Sequence, residues 1–203
     1  LRHNFIFLFT LLFTTASGVK AQKNVYSHKK EDLFVITCKA IVGNFYNKNL
    51  GKLNLYVHPG YGFYTRYRQG AIDNYRNDRK LDNNKAQIFD YFEISKPDFT
   101  KTPFEFGVCP HWNCDDEKWD KTGFIADSTN TCTPISTVAE FLRKNEEIPV
   151  QQNEIEKIGL LEGKCRKIVF AGTKETGIIF YLAWINNKWY LAVIDLAAVD
   201  CSA

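Results

Sequence analysis

The densest run of chemistry-bearing residues in this 203-residue chain is Cys109-Pro-His-Trp-Asn-Cys114. Thiolates and an imidazole are zinc ligands, and Cys109, His111, Cys114 and the more distant Cys132 would make a Cys3His set. The gap between Cys109 and Cys114 is unlike the usual paired-cysteine knuckle. It is also too wide for a redox Cys-x-x-Cys motif. Disulfide bonding is therefore the expectation here, with no metal and no cofactor. Asp115, Asp116, Glu117 and Asp120 follow at once and offer oxygen ligands suited to calcium. They lack the alternating acids and mid-loop glycine of an EF-hand, so they read as a solvated acidic loop.

His58 stands between an apolar helical stretch and an aromatic strand, where an imidazole can serve as general base or ligand. The competing role is a cap at the helix end, where a cation near the last carbonyls is favourable. Tyr61, Phe63, Tyr64, Arg66 and Tyr67 alternate aromatic and basic character and are the candidate ligand-binding residues. Such a surface suits sugars, planar ligands or single-stranded nucleic acid, but alternating aromatics on a half-buried strand are the default. No nucleophile elbow or phosphate-cradling loop is present, and the four histidines (His3, His28, His58, His111) suggest no Ser-His-Asp set. No reaction is assignable.

The N-terminal run Phe5–Phe13 is short and strongly apolar, and Val19-Lys20-Ala21 ends it with small residues at the cleavage positions. Residues 1–21 are expected to be a signal peptide cut after Ala21. The run is too short for a stable membrane anchor. The sequence has no methionine, even at position 1, so an upstream start or a non-standard start codon is expected. Without Arg2 and Lys20, the 26 basic residues fall to 24 against 23 acidic ones. Near-neutral charge gives no electrostatic case for nucleic acid. Cys38, Cys109, Cys114, Cys132, Cys165 and Cys201 are all disulfide candidates, as an even count in an exported chain suggests. Cys109 with Cys114 would close a short loop, and Cys201 would staple the C-terminal tail. A periplasmic or extracellular place follows, with homo-oligomers allowed.

The elements that must position these residues begin with an amphipathic helix over Glu31–Asn47, with Phe34, Cys38, Ile41 and Phe45 on one stripe, after a frayed lead-in at Gln22–Lys30. Asn49–Val57 reads as a second short helix, closed by His58-Pro59-Gly60. Tyr61–Arg68 is the first strand, Asp73–Lys85 a solvated loop or short exposed helix, and Gln87–Ile94 another strand. The stretch from about 97 to 132 reads as an irregular insertion, with a short strand at Gly123–Ile125. Ile135–Asn145 is a helix with Ile135, Val138, Ala139 and Leu142 inward and Pro134 in its first turn. Gln152–Leu161 is a shorter one, stopped by Gly163.

Three strands close the chain: Lys164–Phe170, Ile178–Ile185 and Lys188–Leu196. Asn186-Asn187 suits a two-residue hairpin turn, since asparagine tolerates φ > 0. That turn sets Ile185 opposite Lys188, Trp184 opposite Trp189 and Leu182 opposite Leu191. Regular alternation then puts Ile178, Phe180, Leu182, Trp184, Trp189, Leu191 and Val193 on one face. Ile179, Tyr181, Ala183, Ile185, Tyr190, Ala192 and Ile194 share the other. Two apolar faces place this hairpin inside a sheet covered on both sides. Residues 22–203 form a single α+β domain, with N-terminal helices on a curved, mainly antiparallel sheet that ends in a three-stranded meander.

Tyr56-Val57-His58-Pro59-Gly60 and Lys188-Trp189-Tyr190-Leu191, set in this order of elements, resemble exported bacterial proteins of nuclear transport factor 2-like fold. The resemblance covers about half of the mature chain, and Pro97–Cys132 has no counterpart in it. It implies a cone-shaped sheet with a pocket under its helices, and binding of a small apolar ligand. A few relatives of that kind are isomerases, cyclases or dehydratases using a carboxylate or histidine in the cone. His58 with a carboxylate is the matching alternative here, as a small lyase or isomerase. An envelope protein docking on the 97–132 insertion through exposed Trp112 and Trp119 is the third expectation.

Overall fold

The computed structural model describes residues 16–82, 93–129, 132–145 and 148–201, with side chains from Lys29 onward. Its first element is helix α1, Ala16–Tyr46. No glycine or proline stands between Gly18 and Gly43, so nothing in the chain stops a helix there. Gln22–Lys30 is accordingly helical rather than a frayed lead-in. Phe34, Cys38, Ile41, Val42 and Phe45 are its buried stripe. Helix α2, Leu50–Asn54, is shorter than expected. Asn49 opens it, its side-chain oxygen accepting the Lys52 N–H at 3.0 Å.

Seven strands form the main sheet: β1 Phe63–Gln69, β2 Ile72–Asp78, β3 Phe104–Gly107, β6 Gly123–Asp127, β7 Cys165–Ala171, β8 Gly177–Ile185 and β9 Lys188–Asp195. Their spatial order is β2-β1-β9-β8-β7-β6-β3. Neighbours are antiparallel except β1 with β9 and β3 with β6. A separate small hairpin joins β4, Trp112–Asn113, to β5, Lys118–Trp119.

Two sequence readings need correction. The stretch from Asp73, expected as a loop, is largely edge strand β2 as far as Asp78, paired along its whole length with β1. Its Asp and Asn content hides it, because an edge strand faces water and is held here by ion pairs rather than burial. The stretch from 97 to 132 is not irregular, since it supplies β3 and β6 to the sheet and the β4–β5 hairpin beside it. Short strands of four and five residues carry too little periodicity to read. The strand expected at Gln87–Ile94 falls mostly outside the described residues.

Helices α3, Pro134–Asn145, and α4, Gln152–Glu162, pack on the face opposite α1 and α2. Ile135, Val138, Ala139 and Leu142 are buried as their spacing predicts, and α4 ends at Gly163. The sheet is thus a middle layer with a core on each side. Arg166 of β7 pins α1 to one face. Its guanidinium forms two hydrogen bonds to the Glu31 carboxylate at 2.7 and 2.9 Å. It also lies 5.1 Å from the Phe34 ring centroid and 5.6 Å from that of Trp189.

The β8–β9 turn has the expected register from Ile185↔Lys188 to Leu182↔Leu191. Asn186 and Asn187 both have positive φ, 49° and 61°, as a two-residue hairpin turn requires. Beyond Leu191 the register shifts, and Tyr181 pairs with Val193. Ala192 is the extra residue of a β-bulge, and it exchanges the expected faces of Val193 and Ile194. Ile194 packs with Phe180 and Leu191 under α1, whereas Val193 joins Tyr181 and Ala192 under α3 and α4.

Cys114 is bonded to Cys201, tying the β4–β5 hairpin to the C-terminal tail across 87 residues of sequence. Cys38, Cys109, Cys132 and Cys165 are thiols. The tail staple is therefore present, and the Cys109–Cys114 loop is not, because Cys114 is used elsewhere.

Two outcomes follow for stability. Asn187→Ile should cost about 1–2 kcal/mol, the penalty of a branched residue in the left-handed region, whereas Asn187→Gly should be neutral or stabilising. Urea unfolding midpoints of the two variants will show whether they move in these directions. Cys114→Ser should lower unfolding free energy by about 2–4 kcal/mol, and non-reduced peptide mapping of the native chain should recover the Cys114–Cys201 peptide.

Candidate functional site

On the face covered by α3, alternation along β1 points Arg66 and Arg68 the same way. Asp73 of β2 stands directly across from Arg68. Arg66 donates to Asp73, and at 3.1 Å to Asp195, the last residue of β9. Arg68 donates from Nε to Asp73 at 2.8 Å and from Nη1 to the Asp200 carbonyl at 2.7 Å. The Ala198 amide donates to the other Asp195 oxygen at 3.2 Å.

These groups feel burial and charge in opposite senses. Burial acts to raise the Asp73 pKa, but Arg68 and Arg66 overcome it and hold that carboxyl below its ordinary range. Burial works against the Arg66 charge, yet Asp195 and Asp73 outweigh it and raise its pKa. Asp195 is almost wholly enclosed, and burial lifts its carboxyl despite Arg66.

Beside this network lies a cavity of about 570 Å³. Its floor comprises Arg66, Arg68, Lys167 of β7 and Tyr181 of β8, the last two being cross-strand partners. Asp73 and Ile72 close one side, and Asp127, at the end of β6, stands at another. The opposite wall is Pro134, Thr137, Val138 and Phe141, the i, i+3, i+4, i+7 face of α3. The volume falls within the roughly 300–1,000 Å³ of small-molecule sites.

The positive end of α3 does not serve this cavity. The buried Glu162 carboxylate of α4 already accepts the Ile135 N–H at 2.6 Å and the Ser136 N–H at 3.2 Å. Burial also pushes the cavity-wall Cys132 thiol up to about 11, so it stays protonated and poorly nucleophilic at neutral pH.

Strand alternation disperses the residues expected to bind ligand. Arg66 alone among them lines the cavity. Phe63 is buried under α1 and Tyr67 packs against that same core. Tyr64 lies on the other face against Tyr75, their centroids 6.1 Å apart. Tyr61 is exposed beside His58.

The His58 Nδ1 accepts the amides of Gly60 at 3.0 Å and Tyr61 at 3.1 Å, so one ring nitrogen holds the turn that follows. No Asp or Glu among the described residues hydrogen-bonds it. Asp115, Asp116, Glu117 and Asp120 belong to the β4–β5 hairpin and its flank, where Asp120 accepts the His111 amide at 2.8 Å. The described residues contain no group of three His, Cys, Asp or Glu placed to hold a metal ion. Trp119 is buried and Trp112 half-buried, edge to face at 5.4 Å, so neither is a free docking ring.

Lys167, Asp73, Asp127 and Phe141 carry signals that sequence reading passed over. Lys167 is a charge beside Arg166 in a strand whose other residues are apolar, and Phe141 is a large apolar residue off the core stripe of α3.

Asp73→Asn should destabilise the chain by about 1–3 kcal/mol at neutral pH, the scale of hydrogen bonds to a charged group. Because the folded-state pKa of Asp73 is depressed, its contribution is complete above the unfolded carboxyl pKa near 3.8 and is lost as pH falls below that. Urea midpoints measured from pH 2 to 7 should therefore fall less steeply on the acid side for Asp73→Asn than for wild type. No protein-family model, curated protein or solved structure matches this chain, and the site rests on its geometry.

Proposed function

We propose that this chain is an exported binding module that seats a small ligand between α3 and the sheet. The carrying observation is the cavity, whose walls join an apolar helix face to a fixed network of charges. Side chains locked by mutual ion pairs are preorganised, so a ligand meets them without having to order them first. The thiol on the wall is held protonated, and His58 and His111, the histidines whose side chains are described, lie outside the cavity lining, so binding is better supported than catalysis.

Export is supported by the Cys114–Cys201 bond, which persists in oxidising compartments, and by the apolar N-terminal run with its small-residue cut. Among the described residues no helix is long and apolar enough to cross a membrane. The nuclear transport factor 2-like kinship remains part of the proposal, with β7, β8 and β9 as its closing meander. A helix laid over a mainly antiparallel sheet above a ligand seat is what supports it.

Blocking the cavity tests the reading. Ala71 and Thr137 are exposed residues at its edge. The neutral dye Nile red should gain fluorescence with wild type and lose that gain in an Ala71→Trp/Thr137→Trp variant with an unchanged circular dichroism spectrum. Equal fluorescence from both proteins would place the dye elsewhere and remove the cavity as a binding seat.

A further inference from the structure

From one unpaired group on the cavity floor and the balance of charges around it, we infer that the ligand is an uncharged molecule, a carbonyl oxygen on an apolar body, with the Tyr181 hydroxyl donating to that oxygen. The inference rests on the cavity being the binding seat. Tyr181 is 5% exposed, and its hydroxyl forms no hydrogen bond with any described residue. The surface it retains belongs to the cavity floor. Unlike the sealed Arg66 Nε, the hydroxyl oxygen keeps access to the cavity. Buried polar groups are normally hydrogen-bonded, so a ligand that supplies the partner is favoured at this point.

Each cation of the lining already faces a carboxylate. Arg66 and Arg68 share Asp73, and Arg66 also reaches Asp195. Lys167 stands opposite Asp127, one register step beyond the Ala126↔Ile168 pair. Asp127, Lys167 and Tyr181 thus form one row across β6, β7 and β8. An ionic head of either sign would compete with one of these partners and lie close to a like charge, which is costly. A neutral head meets neither obstacle.

Burial, followed by the nearby Asp195 carboxylate, raises the Tyr181 pKa, so the phenol stays neutral and keeps its proton. A phenol O–H is a better donor than acceptor, which selects an acceptor on the ligand, and a carbonyl oxygen is a strong uncharged one. Ile72, Val138 and Phe141 supply the apolar contact for the rest of the molecule. Phe141 is 46% exposed, and covering that ring would remove apolar surface from water.

The test uses the full chain and four probes of similar size: acetophenone, ethylbenzene, benzoate and benzylammonium. Calorimetric titration gives their affinities, and Nile red displacement shows that they share its seat. Tyr181→Phe should weaken acetophenone about fivefold, the scale of one neutral hydrogen bond, and leave ethylbenzene unchanged. Benzoate and benzylammonium should both bind more weakly than acetophenone. Phe141→Ala should weaken acetophenone and ethylbenzene alike, and the Ala71→Trp/Thr137→Trp variant should bind neither.

An acetophenone affinity that Tyr181→Phe leaves unchanged, or lowers no more than that of ethylbenzene, would overturn the assignment to Tyr181. Tighter binding of benzoate or benzylammonium than of acetophenone would overturn the uncharged ligand. Should Tyr181→Phe not fold, the infrared carbonyl stretch of acetophenone bound to wild type decides. It should lie below its position in hexane, and a stretch at the hexane position would overturn the hydrogen bond. Binding of Nile red with no binding of acetophenone would overturn the inference while leaving the cavity as a seat. Failure of Nile red and all four probes to bind would overturn the binding-module reading itself.

Discussion

The arrangement of the whole site depends on one extra residue in β9. Strict alternation from Trp189 and Leu191 would turn Val193 and Asp195 toward α1, into an apolar core. A carboxylate placed there without partners would be strongly unfavourable. The bulge at Ala192 reverses the tail of the strand. Ile194 takes the apolar position under α1, and Asp195 emerges on the other face, where it meets Arg66 on the neighbouring parallel strand. From that contact the network runs to Asp73 and Arg68, linking three strands of which two form the polar margin of the sheet. The edge strand β2, poor in β-forming residues, owes much of its attachment to this chain of charges.

The two faces of the sheet are used differently. Toward α1 the packing is aromatic, with Phe34 against Trp189 at 4.6 Å and Phe124 against Phe104 and Phe170 at 5.0 and 5.3 Å. Such edge-to-face and tilted contacts fill space closely. The charged Arg166 is tolerated there because Glu31 neutralises it and the rings flank it. Toward α3 the sheet carries smaller or polar groups, including Ala183, Ala192, Cys165, Lys167 and Tyr181. Less bulk on that side leaves room for the cavity of about 570 Å³, whereas the hollows beside α1 are smaller, about 280 and 170 Å³.

The long periodic elements were legible in the sequence. Phe34, Cys38, Ile41 and Phe45 declared α1, the stripe from Ile135 to Leu142 declared α3, and Asn186-Asn187 fixed the hairpin register as far as Leu191. The bulge was not legible, because alanine and valine suit either face and nothing in LAVID marks the inserted residue. Edge strand β2 was hidden by its polarity, and β3 by its brevity. The site itself was legible only at Arg66. Its other members come from separate strands and a helix whose meeting depends on strand order, and the parallel pairing of β1 with β9 has no local signature. Tyr61, Phe63, Tyr64 and Tyr67 drew attention by type, but a strand sends consecutive residues to opposite faces, so one run could not line one pocket.

The bond between Cys114 and Cys201 adjoins the residue whose carbonyl receives Arg68. A free C-terminal tail would fray, and Asp200 with it. With Cys201 anchored to the β4–β5 hairpin, that carbonyl is held at a fixed point, and the Arg68 guanidinium inherits its orientation from a covalent link. Formation of that bond thus sets the aim of a side chain on the cavity floor, and the loss of freedom is incurred once, when the two sulfurs join.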